Sequence, residues 1–252
     1  MTDFLVIGDS LTGLFIVFAR VGAAAMLLPA FGERFVPARV RLAGAFCLSI
    51  PLFWLGVDPV VSHVDARLIP VLLTEVTTGI ILGVAVRLLL IGLQAAGSIA
   101  AQATSLAQVF GGQAVEPLPA IGHLLTFGGL ALIMATGYPV WLIGYLGEFY
   151  QIVPVGQLFS ASILRDWGTG LVSSVFQLGF TLAAPFLIAS VIYNLTIGFI
   201  NKAMPQLMVA FVGAPFITFL SLVVLLLVAP TILTAWSEAV LQFLASPTRA
   251  GV

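Results

Sequence analysis

The feature that most constrains this chain is a long apolar stretch containing a single charge. Between Trp167 and Ser237 the only charged side chain is Lys202, with 35 residues on each side of it. A helix needs ~20 apolar residues to cross a bilayer, and 35 helical residues would extend ~50 Å against a hydrocarbon core of ~30 Å. The sequence therefore predicts a hairpin of two long apolar helices that are either tilted and broken or only partly in lipid.

The same tripeptide, Ala-Pro-Phe, interrupts both arms of this hairpin, at residues 184–186 and again at residues 214–216. Because proline removes a helical hydrogen bond and bends the chain, both helices are predicted to be kinked. The turn between them is the predicted hairpin tip, which contains Asn201, Lys202, Met204, Pro205 and Gln206.

Composition places the rest of the chain in the same environment. Hydrophobic residues make up 61% of the sequence, charged residues 8%, and the mean hydropathy is +1.19. Soluble domains have ~25% charged residues, so the sequence predicts an all-α polytopic membrane protein with a single domain over residues 1–252. Its apolar segments are Phe4–Pro29, Leu42–Val57, Leu68–Gln108, Ile121–Gly147, Thr169–Ile200 and Leu207–Trp236. The third is too long for one span and is predicted to contain more than one helix.

Several function classes find no support in the sequence. The net charge is −1 without a basic stripe, which argues against nucleic acid as a partner. Cys47 is the single cysteine, and His63 and His123 lie far apart, so neither a disulfide nor a metal site is predicted. The sequence contains no His-Glu-x-x-His, Gly-x-Ser-x-Gly or nucleotide-binding motif. We therefore expect no catalytic residues, no cofactor and no enzyme activity.

A basic loop follows the first apolar segment, and its marked residues are Glu33, Arg34, Pro37, Arg39 and Arg41. With six segments, this loop and the Lys202 tip share one side of the membrane, which then carries four basic residues. The other side carries three, namely Arg67, Arg165 and Arg249. The positive-inside rule therefore favours a cytoplasmic basic loop and tip, with both termini outside.

Three charged residues, Arg20, Glu75 and Arg87, lie within or near apolar segments. A charge at the centre of a membrane helix costs ~2.5–3.5 kcal/mol, so each needs a reason to be there. One hypothesis is an ion or proton pathway. The alternative is structural ion pairing between helices or with partner subunits.

Small residues recur on the third apolar segment, at Gly79, Gly83, Gly92, Ala96, Ala100 and Thr104. Such a ladder lets helix backbones approach closely. The sequence leaves open whether the neighbour belongs to the same chain or to another subunit.

A candidate gate follows this ladder. The chain leaves a helix that carries Gln102 and passes through a Gly-Gly turn before it re-enters an apolar helix. Non-helical backbone at membrane depth is tolerated only where protein buries it or where it lines a watery cavity. Phe110 beside the two glycines would then be a movable apolar stopper, and a plain surface loop is the alternative. The predicted plug residues are Gln102, Leu106, Phe110, Gly111, Gly112 and Glu116.

Three stretches, taken together and in order, resemble the FliR family of flagellar export-gate proteins, whose injectisome counterparts are the SctT proteins. The first joins Phe18–Gly22 to Pro29–Arg41. The second is Ala96-Gly97 with Gln102, leading into the Phe110 loop. The third comprises Asn194–Gly198, Asn201–Leu207 and Val212–Phe216.

The resemblance implies a FliP-like part over about residues 1–165 and a FliQ-like helical hairpin over about residues 166–245. It implies assembly with FliP-like and FliQ-like subunits and an FlhB-like partner in the basal body of the flagellum, at the bacterial inner membrane. The function implied is to form and close the channel through which unfolded flagellar proteins are exported. The family's central loop plugs that channel, which corresponds here to residues 106–122.

Other functions stay open at this point. An injectisome export gate would use the same architecture for different secreted proteins. A small-solute secondary transporter would bind a defined small molecule and work without FliP-like and FliQ-like partners. A purely structural nucleus for assembly would take no part in gating.

Overall fold

The structure, a computed structural model, describes residues 2–55, 68–105, 120–204 and 209–247, with side chains described over 11–55, 68–103, 120–204 and 216–247. The described residues form seven helices and no strand, which confirms the all-α prediction. The helices are α1 Thr2–Ala25, α2 Ala38–Trp54, α3 Leu68–Ser105, α4 Ala120–Ala135, α5 Tyr138–Ile152, α6 Ala161–Ala203 and α7 Val209–Ala245.

Helix α3 corrects the prediction that the third apolar segment contains more than one helix. It is a single helix of 38 residues, with a length of ~57 Å. The prediction was wrong because it compared the segment only with the thickness of a bilayer. Over its most apolar part, 56% of the helix is buried inside the protein. A helix covered by its own chain need not match the membrane in length.

The fourth apolar segment, in contrast, is two helices. The axes of α4 and α5 differ by 78° across a short break. At the break, Gly137 has a φ of +83°, a conformation that glycine adopts without the steric penalty of a Cβ. Pro139 follows in the first turn of α5, where its missing N–H leaves no hydrogen bond unmade. Hydropathy does not register this break, since both helices are apolar.

The predicted hairpin is present as α6 and α7, which contain 43 and 37 residues. Pro185 lies inside α6 and does not end the helix. The rings of Tyr193 and Phe216 stack with centroids 6.1 Å apart, and those of Trp167 and Phe243 with centroids 6.4 Å apart. Both pairs lie at nearly equal sequence distances on either side of the tip, so the two helices run antiparallel.

Within the described residues, three helices are long and apolar enough to cross a membrane: Leu68–Ala103, Ala161–Ala203 and Phe216–Ala245. The bent pair of α4 and α5 would make a fourth span. This confirms the prediction of a polytopic membrane protein. The count of six apolar segments does not equal the number of such helices. The fourth segment is bent, α2 has only 17 residues, and the described apolar part of α1 is the shorter stretch Leu11–Ala25.

The chain folds into two compact units. The first comprises Met1–Leu89, Ile133–Ser173 and Val240–Val252. Its described core includes Ile16 and Val21 of α1 and Leu142 of α5, all fully buried.

The second unit comprises Leu90–Leu132 and Ser174–Ala239. Its helices approach closely, since a Cβ added to Gly97 would lie 2.4 Å from the Cα of Gly122. The indole of Trp236 is fully buried. Packing defines these two units, whereas the division near residue 165 rests on the resemblance to two other subunits and stays a prediction.

Candidate functional site

Arg20 of α1 and Glu75 of α3 form an ion pair with no exposed side-chain area. The Nε of Arg20 donates to Oε2 of Glu75 at 2.8 Å, and its Nη2 donates to Oε1 at 3.0 Å. This two-point contact is the strongest geometry available to a guanidinium and a carboxylate. Two of the three charges that the sequence places in apolar segments therefore neutralise each other.

Three groups from the α5 end of the first unit complete this pair. Nη1 of Arg20 donates to the carbonyl oxygen of Val153 at 3.0 Å, and the N–H of Gly156 donates to Oε1 of Glu75 at 3.0 Å. The ring of Tyr150 lies 3.9 Å from the guanidinium carbon, a cation–π contact. The pair thus ties α1 and α3 to the segment that follows α5.

In a second ion pair, α3 contributes the basic residue instead of the acidic one. The carboxylate of Glu33, in the loop after α1, accepts a hydrogen bond from Nη1 of Arg87. Helix α3 therefore supplies the acid of one pair and the base of the other. Each partner comes from α1 or from the loop that follows it. This arrangement fits the structural alternative for Arg20, Glu75 and Arg87, because every one of these charges has an opposite charge in contact.

Arg41 shapes the basic loop from within. Its Nη2 donates to the carbonyl oxygens of Glu33 at 3.1 Å and Val36 at 3.0 Å. Pro37 directly precedes α2, and its carbonyl oxygen accepts hydrogen bonds from the backbone N–H groups of Val40 and Arg41. Arg41 therefore holds the loop in its conformation, and Pro37 is the N-cap residue of α2.

The other two arginines of this loop have a different environment. Arg34 and Arg39 are exposed. Neither makes an ion pair with any of the residues that the structure describes. The loop thus presents two guanidinium groups that this part of the protein does not neutralise.

The small-residue ladder is used inside the chain. A Cβ on Gly79 would lie 2.2 Å from the carbonyl oxygen of Arg20, and a Cβ on Gly83 would lie 2.7 Å from that of Ala24. Both glycines therefore let α3 pack directly on the backbone of α1. Farther along, Gly92, Ala96 and Ala100 are buried in the second unit. At these positions the ladder packs within the molecule.

At the hairpin tip, Asn201, Lys202 and Met204 are exposed at the end of α6. Lys202 makes no ion pair with the described residues. Pro205 and Gln206 lie outside the described residues. The charge at the tip is therefore presented outward from the described end of α6.

For the predicted plug, the structure places one residue. Gln102 is exposed on α3, three residues before the helix ends at Ser105. The remaining plug residues lie outside the described part of the chain: Leu106, Phe110, Gly111, Gly112 and Glu116. Helix α4 begins at Ala120, so residues 120–122 of the predicted loop are helical. The plug itself stays a prediction.

The sequence analysis missed the aromatic residues of α5, of which Tyr150 covers Arg20. Tyr145 is fully buried, and its hydroxyl donates to the carbonyl oxygen of Leu82 at 3.2 Å. Phe149 packs edge-on against Tyr145, with ring centroids 5.0 Å apart. The four-residue spacing of Tyr145 and Phe149 on one helix predicts a shared face. It does not predict that Tyr150 covers an arginine.

The described residues contain no group of three His, Cys, Asp or Glu side chains that could hold a metal ion. His123 is exposed on α4, with its ring 6.5 Å from that of Phe127. The charged features in this part of the chain are two ion pairs made by α3, an exposed pair of Arg165 with Asp166, two unpaired arginines in the basic loop, and Lys202 at the tip.

Comparison with known proteins places the chain in a family. The sequence matches the family model of bacterial export proteins, family 1, over residues 11–243. The flagellar biosynthetic protein FliR of Caulobacter vibrioides is 31% identical over 228 residues, covering 88% of this chain and 90% of that protein. The proteins of the same name from Aquifex aeolicus and Bacillus subtilis are 27% and 25% identical. They align over 91% and 86% of this chain and over 90% and 86% of their own lengths.

The family model therefore covers nearly the whole chain, including α3, α6 and most of α7. The three stretches on which the resemblance rests, from Phe18 to Phe216, all lie inside the matched range. The chain belongs to bacterial export proteins, family 1, together with the flagellar biosynthetic proteins FliR to which it is similar.

Proposed function

We propose that this chain is a component of the flagellar protein-export apparatus, in which it helps to build and close a channel for unfolded flagellar proteins. The observation that carries the proposal is its similarity to FliR of Caulobacter vibrioides over 88% of this chain and 90% of that protein. A match along most of both chains is expected of proteins with the same role in an assembly. In this proposal the chain is a non-enzymatic subunit, and any energy for transport comes from its partners.

The hairpin supports a role inside an assembly. Helix α6 is ~65 Å long, about twice the thickness of a hydrocarbon core. Its large exposed apolar side chains include Phe176, Phe180, Ile188, Val191, Ile192, Leu195 and Phe199. An upright bilayer span covers only half of such a helix. Apolar surfaces of neighbouring subunits would cover the rest, and we propose FliP-like, FliQ-like and FlhB-like subunits for this role.

The closing function is assigned to the loop between α3 and α4. A ring or plug of apolar side chains blocks water and ions by dewetting, and a passing polypeptide can displace it. Phe110 is the large apolar residue beside Gly111 and Gly112, which leave the backbone free to move. In this proposal the plug lies in an assembly at the bacterial inner membrane, within the basal body of the flagellum.

Deletion and complementation test the proposed role in export. A strain that lacks this gene is expected to lose motility and to stop secreting filament protein into the medium, and the wild-type gene is expected to restore both. Membranes from the restored strain, solubilised in mild detergent, are expected to yield this chain together with other export components. Normal motility and filament secretion in the deletion strain would overturn the proposal.

The same strain separates the alternatives. Restored secretion of injectisome proteins without an effect on motility would indicate an injectisome gate. Uptake of a defined small molecule by the chain alone in vesicles would indicate a solute transporter.

A substitution in the loop tests the proposed plug. Phe110→Ala is expected to leave assembly intact and to make the membrane leak small solutes, since the apolar seal is lost. Phe15→Ala is the matched control, because it removes the same side chain from an exposed position on α1. Solute uptake and filament secretion are measured in parallel. A tight membrane in an assembled Phe110→Ala variant would show that this residue does not form the plug.

A further inference from the structure

An apolar groove of about 600 Å³ runs between α1 and α2 in the first unit. This volume falls within the range of ligand pockets, ~300–1,000 Å³. Its lining includes Ala19, Gly22 and Ala23 of α1, with Leu42 and Ala45 of α2. Because these side chains are small or aliphatic, the groove is suited to a hydrocarbon chain.

One region of the same groove is basic. Arg39 and Arg41, both in the first turns of α2, contribute to its lining. Arg41 already binds two carbonyl oxygens of the loop, yet its buried Nε has no hydrogen-bond partner within the described residues. Arg39 is exposed and makes no ion pair within the described part of the chain. An anionic group is therefore the missing complement to this region.

The exposed face of helix α2 is apolar, although its 17 residues extend only ~26 Å, less than the ~30 Å of a hydrocarbon core. Leu42, Phe46 and Ile50 recur every four residues as exposed apolar side chains, and the series ends at Trp54, which is 82% exposed. Tryptophan and arginine are typical of the two boundaries of a membrane segment. The basic region of the groove then lies where lipid headgroups lie.

We propose that this groove binds an anionic phospholipid, with one acyl chain along the apolar lining and the phosphate on Arg39. Basic pockets between membrane helices hold anionic headgroups in this way. The N-terminus of α2 also has no side-chain cap, and the positive end of its dipole adds to the attraction. A neutral apolar ligand would leave Arg39 without a partner, and a soluble anion would leave the apolar lining exposed. An anionic amphiphile satisfies both regions.

The test uses the full-length chain in detergent and measures retained lipid by native mass spectrometry. The probes are phosphatidylglycerol and phosphatidylcholine with identical acyl chains, and glycerol phosphate as the headgroup without chains. Phosphatidylglycerol is expected to bind about fivefold more tightly than phosphatidylcholine, the effect of one guanidinium near the headgroup. Glycerol phosphate is expected not to compete. Equal binding of the two lipids, or competition by glycerol phosphate, would overturn the proposal.

Two matched pairs of variants locate the site. Arg39→Ala is expected to abolish the fivefold preference, whereas Arg165→Ala removes an exposed arginine elsewhere and should leave it intact. Gly22→Leu is expected to fill the groove with its side chain and to prevent binding. The helix should tolerate this change, because an added Cβ there makes only ordinary contacts with Phe18. Gly144→Leu replaces another helical glycine, with open space around it, and should change nothing. If Arg39→Ala or Gly22→Leu binds lipid as its control does, the lipid does not lie in this groove.

The assembled complex provides a last measurement. When this chain is purified with its export partners, phosphatidylglycerol is expected to remain bound and to be lost with Gly22→Leu. If a helix of another subunit occupies the groove instead, lipid will be absent from the wild-type complex, and the proposal fails. This result does not depend on whether the complex exports proteins, so the role in export is tested separately.

Discussion

Helices α3 and α7 are nearly equal in length, 38 and 37 residues, and both are strongly apolar. The mean hydropathies of their most apolar windows are 2.2 and 2.7. Yet 56% of the most apolar stretch of α3 is buried inside the protein, whereas only 22% of the corresponding stretch of α7 is buried. Two helices with similar hydropathy therefore have opposite relations to the rest of the chain.

The difference in burial follows from individual charged and small residues, which a mean hydropathy does not reveal. Helix α3 carries Glu75 and Arg87, both paired with charges from α1 or its following loop, and glycines that admit the α1 backbone. Helix α7 has no charge before Glu238. Its exposed side chains are large: Phe216, Phe219, Leu222, Leu226 and Leu227. Charges and small residues thus mark the helix that packs within the chain, and a face of large apolar residues marks the one left for lipid or partners.

The largest expected effect comes from breaking the buried ion pair. Glu75→Ala leaves Arg20 charged and buried without a carboxylate, which typically costs about 3–5 kcal/mol. We expect the variant to accumulate poorly in membranes and to unfold at lower temperature in detergent. Asp166→Ala is the control, because it breaks an exposed pair with Arg165 that is expected to contribute little. If Glu75→Ala matches the control in both measurements, the buried pair does not stabilise α3.

Identical truncations in α3 and α7 test the comparison directly. Leu90→Ala creates a cavity at a fully buried site of α3 and should cost about 2–5 kcal/mol. Leu226→Ala acts at a site that is 77% exposed and should change the stability of the isolated chain by less than about 0.5 kcal/mol. Thermal unfolding of the two detergent-purified variants measures the difference.

In the assembly, the effects of these two truncations on the protein are expected to differ less than in the isolated chain. If partner subunits cover α7, Leu226→Ala should lower the yield of export components that co-purify with the chain. A normal yield would leave lipid as the cover for this face.

The close packing of α1 on α3 at Gly79 can be tested by adding a single methyl group. Gly79→Ala would place a Cβ 2.2 Å from the carbonyl oxygen of Arg20, so α1 and α3 must move apart. Such overpacking typically costs about 1–3 kcal/mol. Gly144→Ala, at a helical position with open space, should instead gain up to ~1 kcal/mol from helix propensity. Opposite shifts in unfolding temperature are the expected result, and equal shifts would refute the close contact of α1 and α3.

The smallest effect is expected at the hairpin tip. Lys202 is exposed and is the only charge between residues 167 and 237. Lys202→Arg keeps the attraction to an anionic surface, whereas Lys202→Glu reverses it, with a change of about fivefold in membrane attraction for each charge. We expect near-normal motility with arginine and reduced motility with glutamate. Equal motility of the two variants would show that the charge at the tip has no role.

Much of the fold could be predicted from the sequence because apolar length is a local property. The hairpin of α6 and α7 follows from 35 uncharged residues on each side of Lys202. The error at α3 arose because the sequence does not state which helices are covered by protein. The break at Gly137 was missed because one glycine and a nearby proline, Pro139, do not lower the hydropathy of an apolar segment enough to divide it.

The candidate sites show the same limit. The sequence identifies Arg20, Glu75 and Arg87 as charges that need partners, because isolated charges in apolar segments are costly. It also identifies Lys202 and the basic loop, since their charges stand out in an apolar chain. The partners themselves could not be predicted, because Arg20 and Glu75 are 55 positions apart and Arg20 and Val153 are 133 positions apart.

By itself, the sequence determined that this protein is helical, resides in a membrane and belongs with bacterial export proteins, since composition, apolar length and motif order are all properties of the linear chain. Only the tertiary structure decided that Arg20 pairs with Glu75, that Glu33 pairs with Arg87, and that the glycines of α3 receive α1. The physical reason is that hydropathy depends on each residue alone. Ion pairing, close helix contact and the groove between α1 and α2 depend on which distant backbone segments meet.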